Sequence, residues 1–140
     1  MFLLFASFRR LCGRAMKSYT YSPLEKSHIR LLHLSVTHDG TLKATVKHVR
    51  LHPEATVVYN GLSHIWGSSE SIINLVCDGK WLPITKTLAT ALSEYIKCYP
   101  NEPLWIDQIC ISQMDHIEKS EQVKMMNLIF ESRLINLLMN

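Results

Sequence analysis

Leu104-Trp105-Ile106-Asp107-Gln108-Ile109-Cys110-Ile111-Ser112-Gln113 is the stretch on which the fold turns. It begins as a strand and ends as a site. Leu104, Ile106, Ile109 and Ile111 are apolar and Trp105 is large, a composition that suits a strand buried on both faces. Asp107 interrupts it, and a thiol at Cys110 and an amide at Gln113 follow. An unpaired carboxylate is costly to bury, so Asp107 requires a hydrogen-bonding partner or a cleft opening at that point. Asp115 and Glu118 then stand at the spacing of a helix capping box. The helix they open runs on through Gln122, Val123, Met126, Ile129 and Phe130.

Upstream, Leu88, Ala91, Leu92, Tyr95, Ile96 and Tyr99 recur at the period of an amphipathic helix. Thr85 or Thr87 is its cap and Pro100 its stop. Ile72–Cys77 and Lys80–Ile84 flank Asp78-Gly79, a strong hairpin signal. Ile29–Leu34 and Leu42–Leu51 read as strands around His38-Asp39-Gly40, an N-terminal β-hairpin region. In the second of these the apolar phase changes from Leu42, Ala44 and Val46 to Val49 and Leu51, which predicts a bulge or twist. Thr56–Ser63 is a third strand, leading to a corner at Trp66-Gly67. Hairpins followed by helix–strand–helix imply an α/β fold, a layered sheet with flanking helices.

A chain of 140 residues is one domain with a single core. Hydrophobic content of 47% with 19% charged residues excludes a disordered composition. The net charge of +3 hides an asymmetry: nine Lys/Arg against two acids up to Pro53, then six against ten. The basic residues are scattered without interleaved aromatics, which reads as a solvated face and not as a nucleic-acid site. Cys12, Cys77, Cys98 and Cys110 are widely spaced, so neither a zinc signature nor a disulfide framework is legible. A reduced cytoplasmic setting is the simplest expectation, with mitochondrial targeting by the basic N-terminus the alternative. The apolar run Met1–Phe8 is far shorter than the roughly 20 residues a membrane span needs, so no membrane span is expected.

The Leu104–Gln113 run and the helix after it resemble the core motif of the fungal heterokaryon-incompatibility (HET) domain. That motif has a Leu-Trp-Ile-Asp strand, Cys-Ile-x-Gln, and a helix with Gln-Val-x-x-Met-x-x-Ile-aromatic, here Gln122 to Phe130. Two further blocks match in order, Tyr59–Gly67 with Leu62, Ser63, Trp66 and Gly67, and Ile84–Leu92. Tyr21-Ser22-Pro23-Leu24 followed by Ile29-Arg30-Leu31-Leu32 resembles the family's usual approach to the domain. The resemblance covers residues 20–133, leaving 1–19 as an N-terminal arm and 20–140 as the domain. His64, Gly61, Ser112 and Met114 depart from the family's usual aromatic, Ala, Asn and acid or amide. The family continues into a further strand after the Ile129-Phe130 helix, so the domain is expected to be C-terminally incomplete and poorly soluble alone. The resemblance implies fungal self/non-self recognition that promotes regulated cell death through self-association or partner binding. It also implies a distant kinship with Toll/interleukin-receptor (TIR) domains, hence a TIR-like sheet and NAD cleavage as the alternative activity. An inactive fragment of a larger HET protein is the third reading.

The chemistry-bearing residues each carry two readings. Asp107 is either a cleft carboxylate at the end of a central strand or a structural acid bonding backbone amides. Cys110 is a core cysteine, or a nucleophile if His64 approaches as base with Asp107 orienting it. Ser63 and His64 are pocket candidates, while Trp66 and Gly67 are structural. Glu118 and Glu121 matter through the TIR analogy; their structural readings are a capping-box acid and a solvated-face acid. Gly-rich phosphate loops are absent from the sequence and no cofactor is evident, so NAD chemistry rests on fold analogy.

Overall fold

The computed structural model describes residues 16–52, 57–62 and 71–132, with Glu131 and Ser132 described by backbone alone. Among the described residues six strands form one mixed sheet: β1 (His28–Val36), β2 (Leu42–Arg50), β3 (Asn60–Leu62), β4 (Ile72–Cys77), β5 (Lys80–Thr85) and β6 (Leu104–Ile106). Their order is β3-β6-β1-β2-β4-β5. β1 pairs antiparallel with β2 and β6, and β4 with β5; β2–β4 and β3–β6 are parallel. The helices of the described residues are α1 (Lys86–Cys98), between β5 and β6, then the single turn α2 (Asp107–Cys110) and α3 (His116–Ser132). The chain is therefore mixed α/β.

Local chemistry explains the joints. Asp78 and Gly79 both take positive φ, 49° and 72°, so the two-residue β4–β5 turn matches the right-handed strand twist. Thr85 leaves β5 in extended geometry and its Oγ1 accepts the Leu88 amide at 3.1 Å, which caps α1. Leu88, Ala91, Leu92 and Tyr95 form the buried stripe of that helix.

Two expectations are corrected. β1 and β2 run in continuous register from His28↔Arg50 to Val36↔Leu42, with no bulge. The apolar phase of β2 changes because opposite faces are covered at its two ends: Ala44 is buried on one, and Val49 lies beside buried Ile29 on the other. The Trp105 strand is also shorter than its apolar run, since the chain turns helical at Asp107 and the Ile111 amide bonds the Asp107 carbonyl. Ile109 and Cys110 remain buried, but as one helical turn.

β3 shows how the layers meet. Asn60 donates from Nδ2 to the Tyr95 hydroxyl of α1 at 2.9 Å, while the next residue, Gly61, lies against Phe130 of α3. Neighbours in a strand face opposite sides, so α1 and α3 cover opposite faces of the sheet here. Trp105 is fully buried beside Gly61 and meets Phe130 edge-on at 5.4 Å. Tyr59 donates its hydroxyl to the Ile129 carbonyl, tying the end of α3 to the same edge.

A Cβ at Gly61 would stand 3.0 Å from Cε1 of Phe130. Gly61→Ala is expected to destabilise the fold by about 1–3 kcal/mol in urea denaturation through overpacking. In a Phe130→Leu background the same change is expected to cost little; an equal cost there would show that Phe130 is not the obstacle.

Candidate functional site

The motif residues converge on Arg30, to which the sequence assigned no role of its own. It sits in β1 between Ile29 and Leu31 and is wholly buried. A guanidinium there is tolerable only if most of its donors are matched; Nε has no partner among the described residues, but both terminal nitrogens do. Nη1 donates to the Cys110 carbonyl at 3.1 Å and to Glu118 Oε2 at 2.9 Å. Nη2 donates to the Ser22 carbonyl at 2.7 Å and to Glu118 Oε1 at 2.6 Å. The Tyr21 ring lies 4.8 Å from Cζ, adding a cation–π contact, and its hydroxyl donates to the Ile109 carbonyl at 2.7 Å. The fork-to-fork geometry is one that Arg makes and Lys does not.

Glu118 is thus an anchor. Its Oε2 also accepts the Ser112 amide at 2.6 Å, and its side chain is only 10% exposed. The capping box is half formed. Asp115 Oδ1 accepts the Ile117 and Glu118 amides, but Glu118 turns inward to Arg30 instead of returning to the cap. One turn on, Gln122 donates from Nε2 to the His28 carbonyl at 2.9 Å. The first turns of α3 are held to β1 by polar contacts on Glu118 and Gln122. Its later turns are held by buried Ile129 with Met125, Met126 and Phe130.

Asp107 opens α2 half-buried; its Oδ1 accepts the Gln108 amide at 2.9 Å. Gln113 closes that loop, donating from Nε2 to the Asp107 carbonyl at 3.0 Å. Cys110 lies at the centre, fully buried, with the Ile106 amide 3.4 Å from Sγ. Burial pushes its thiol up to about 12, the opposite of what a nucleophile needs. Leu104, Trp105, Ile106, Ile111, Tyr59 and Leu62 are buried core, and Met126 is half-buried against it. Val123 instead faces outward, 53% exposed, as does Glu121. Ser63, His64, Trp66 and Gly67 lie outside the described residues.

Arg30 had a legible signal. It interrupts the apolar run Ile29–Leu32 as Asp107 interrupts its own, and the same need for a partner applies. Tyr21 and Ser22 stand in a stretch that resembles the family's approach to the domain, but their role is set by distance in space and could not be read from the chain. Beside the Arg30 network a cleft of about 400 Å³ opens between loop residues Pro23–Ser27 and the first turns of α3. Glu118 and Glu121 both line it. Among the described residues no group of three His, Cys, Asp or Glu is placed to hold a metal, and no helix is long and apolar enough to cross a membrane.

The model for the heterokaryon incompatibility protein (HET) family matches residues 59–139. The chain is also 36% identical over 121 residues to heterokaryon incompatibility protein 6, OR allele, of Neurospora crassa. That alignment takes in 76% of this chain and 18% of the Neurospora protein, so the chain spans under a fifth of that relative's length. No solved structure matches it significantly.

Glu118→Ala leaves a buried guanidinium without its carboxylate and is expected to cost about 3–5 kcal/mol in chemical denaturation. The apolar pair Arg30→Met/Glu118→Leu is expected to restore most of that loss; if it does not, the network supplies more than charge neutralisation. The thiols give a second expectation. Cys77 and Cys110 are both raised from 9.0 to about 12, chiefly by burial, and Tyr19 and Tyr95 from 10.0 to about 12. These acids keep their protons in the fold above the pH at which the unfolded chain loses them. The unfolded state then binds fewer protons, so stability falls as pH rises from about 9 towards 12. At pH 8, iodoacetamide is expected to label exposed Cys98 but neither Cys77 nor Cys110 until the chain unfolds. Labelling of Cys110 in the folded chain would contradict the buried site.

Proposed function

The chain belongs to the heterokaryon incompatibility (HET) family, and we propose that it is a fungal self/non-self recognition domain promoting regulated cell death by protein contact. Self-association or partner binding, not chemistry at the motif, is the working step. The observation carrying this reading is the commitment of the motif's reactive groups. The Cys110 thiol is buried and held protonated, and the Glu118 carboxylate is occupied by Arg30 and the Ser112 amide. Around the start of α3, by contrast, apolar side chains stand in solvent: Met114 is 91% exposed, Ile117 80% and Val123 53%. Scattered exposed apolar residues are ordinary, but three within ten residues of one motif offer a contact surface. Such a domain is proposed to work in the cytoplasm, as a part of the longer architecture seen in its relative.

TIR-like NAD cleavage is the second reading, and one observation favours it. Glu121 lines the cleft with an exposed carboxylate, although it stands 3.2 Å from Lys124. Against it stand three antiparallel strand pairs in a sheet that TIR kinship would make parallel. Nicotinamide release from NAD, lost in Glu121→Ala, is the signature of this reading.

Expression of the chain in a fungal host is expected to stop growth and reduce viable counts. Ile117→Asp/Val123→Asp, two exposed changes that leave the core untouched, is expected to restore viability at equal protein abundance. Normal viability with the unaltered chain would sink the effector reading. Equal killing by the double variant would sink this choice of contact surface.

A further inference from the structure

The cleft between residues 23–27 and α3 has a chemistry that the contact reading does not use. Its volume of about 400 Å³ falls in the range of small-ligand sites. Glu25, Asp115, Glu118 and Glu121 line it, against Lys26. Arg30 offsets Glu118 from behind and Lys124 stands against Glu121, which leaves the cleft with one negative charge in excess. Glu25 and Glu121 are 84% and 64% exposed, so both carboxylates are reachable; their neighbours, His28 at 3.7 Å from Glu25 and Lys124 at 3.2 Å from Glu121, are weakly held competitors.

Gln122 supplies an independent sign. It lines the same cleft yet is only 3% exposed. Its Nε2 donates to the His28 carbonyl, which can only accept, so the amide orientation is fixed. Oε1 is therefore an acceptor, buried and without a partner among the described residues. A buried acceptor calls for a donor, and the surrounding carboxylates favour one that carries positive charge. Leu24, Ile117 and Met125 add apolar wall for an alkyl stem behind such a head group.

We propose that this cleft binds an ammonium or guanidinium head group, carried either by a small amine or by a Lys or Arg side chain of a protein partner. The site does not rest on the cell-death reading: its charged and amide groups lie outside the contact surface proposed above, with which it shares Ile117 alone. The test is calorimetric titration of the full chain at low and moderate salt. The probes are n-butylammonium and methylguanidinium, with n-butanol and methylurea as neutral counterparts, and a capped Ala-Ala-Arg-Ala-Ala peptide with its Gln counterpart. Saturable binding of the cationic probes, weakened by salt and absent for the neutral ones, is expected. Glu25→Gln/Glu121→Gln, at exposed positions, is expected to weaken it by about tenfold or more. Gln122→Met is expected to weaken it further, with a thermal melt confirming that the variant is folded. Binding by the peptide alone assigns the head group to a protein partner, and binding by the free ions assigns it to a small amine; either supports the site. The proposal is overturned if the neutral probes bind as well, if the double variant binds unchanged, or if no probe saturates.

Discussion

The ion pair between Arg30 and Glu118 is the constraint from which the rest of the structure follows. Four stretches of chain meet on it: β1, the 21–22 segment, the turn after α2, and the first turns of α3. Each is distant in sequence from at least one other, so the pair sets long-range order that no local propensity can. Burying two charges is costly, and it is tolerable here because the Glu118 oxygens and the Arg30 terminal nitrogens are all matched. Geometry follows from the same need. The Cys110 and Ser22 carbonyls must lie where the guanidinium can reach them, which fixes the path of the chain on either side.

Polar mooring distinguishes α3 from α1. α1 buries a plain apolar stripe and would tolerate conservative exchange within it. α3 is fixed at its beginning by Glu118 and Gln122 and packs its apolar side chains only later, at Met125, Met126, Ile129 and Phe130. Apolar packing is non-directional, whereas a bidentate pair admits one rotation of the helix. That single rotation places Gln122 inward and leaves Val123 and Glu121 outward. The outward surface of the helix is thus a consequence of its inward polar contacts.

Much of this was legible in the sequence, and the exceptions have physical causes. The α1 stripe, the Asp78-Gly79 turn and the position of the Trp105 strand rest on periodicity and turn chemistry, which are local. The end of that strand was not legible, because Ile109 and Ile111 suit a buried helical turn as well as a buried strand. The β2 phase change suggested a bulge because a single covered face was assumed; with opposite faces covered at its two ends, no irregularity is required. At the site, Cys110 could be weighed from its apolar neighbours, but Glu118 could not. Its spacing from Asp115 signals a cap, and only the arrival of Arg30 from a residue 88 positions earlier turns it inward.

This arrangement decides how loss of function in the motif must be understood. Changing Glu118, Gln122, Trp105 or Cys110 removes an inward contact of the core or of the Arg30 network, so any loss of activity that follows reports lost structure first. Chemistry cannot be assigned to those positions from activity alone. Glu25, Ile117, Glu121 and Val123 are different, since their side chains stand in solvent and the core does not depend on them. They surround or flank the cleft and the start of α3, close to the motif but outside its load of internal contacts. Within this short segment the residues that build the domain and those able to meet a ligand or partner alternate along one helix. Function is therefore to be sought on the outward positions, which the motif pattern itself scarcely marks.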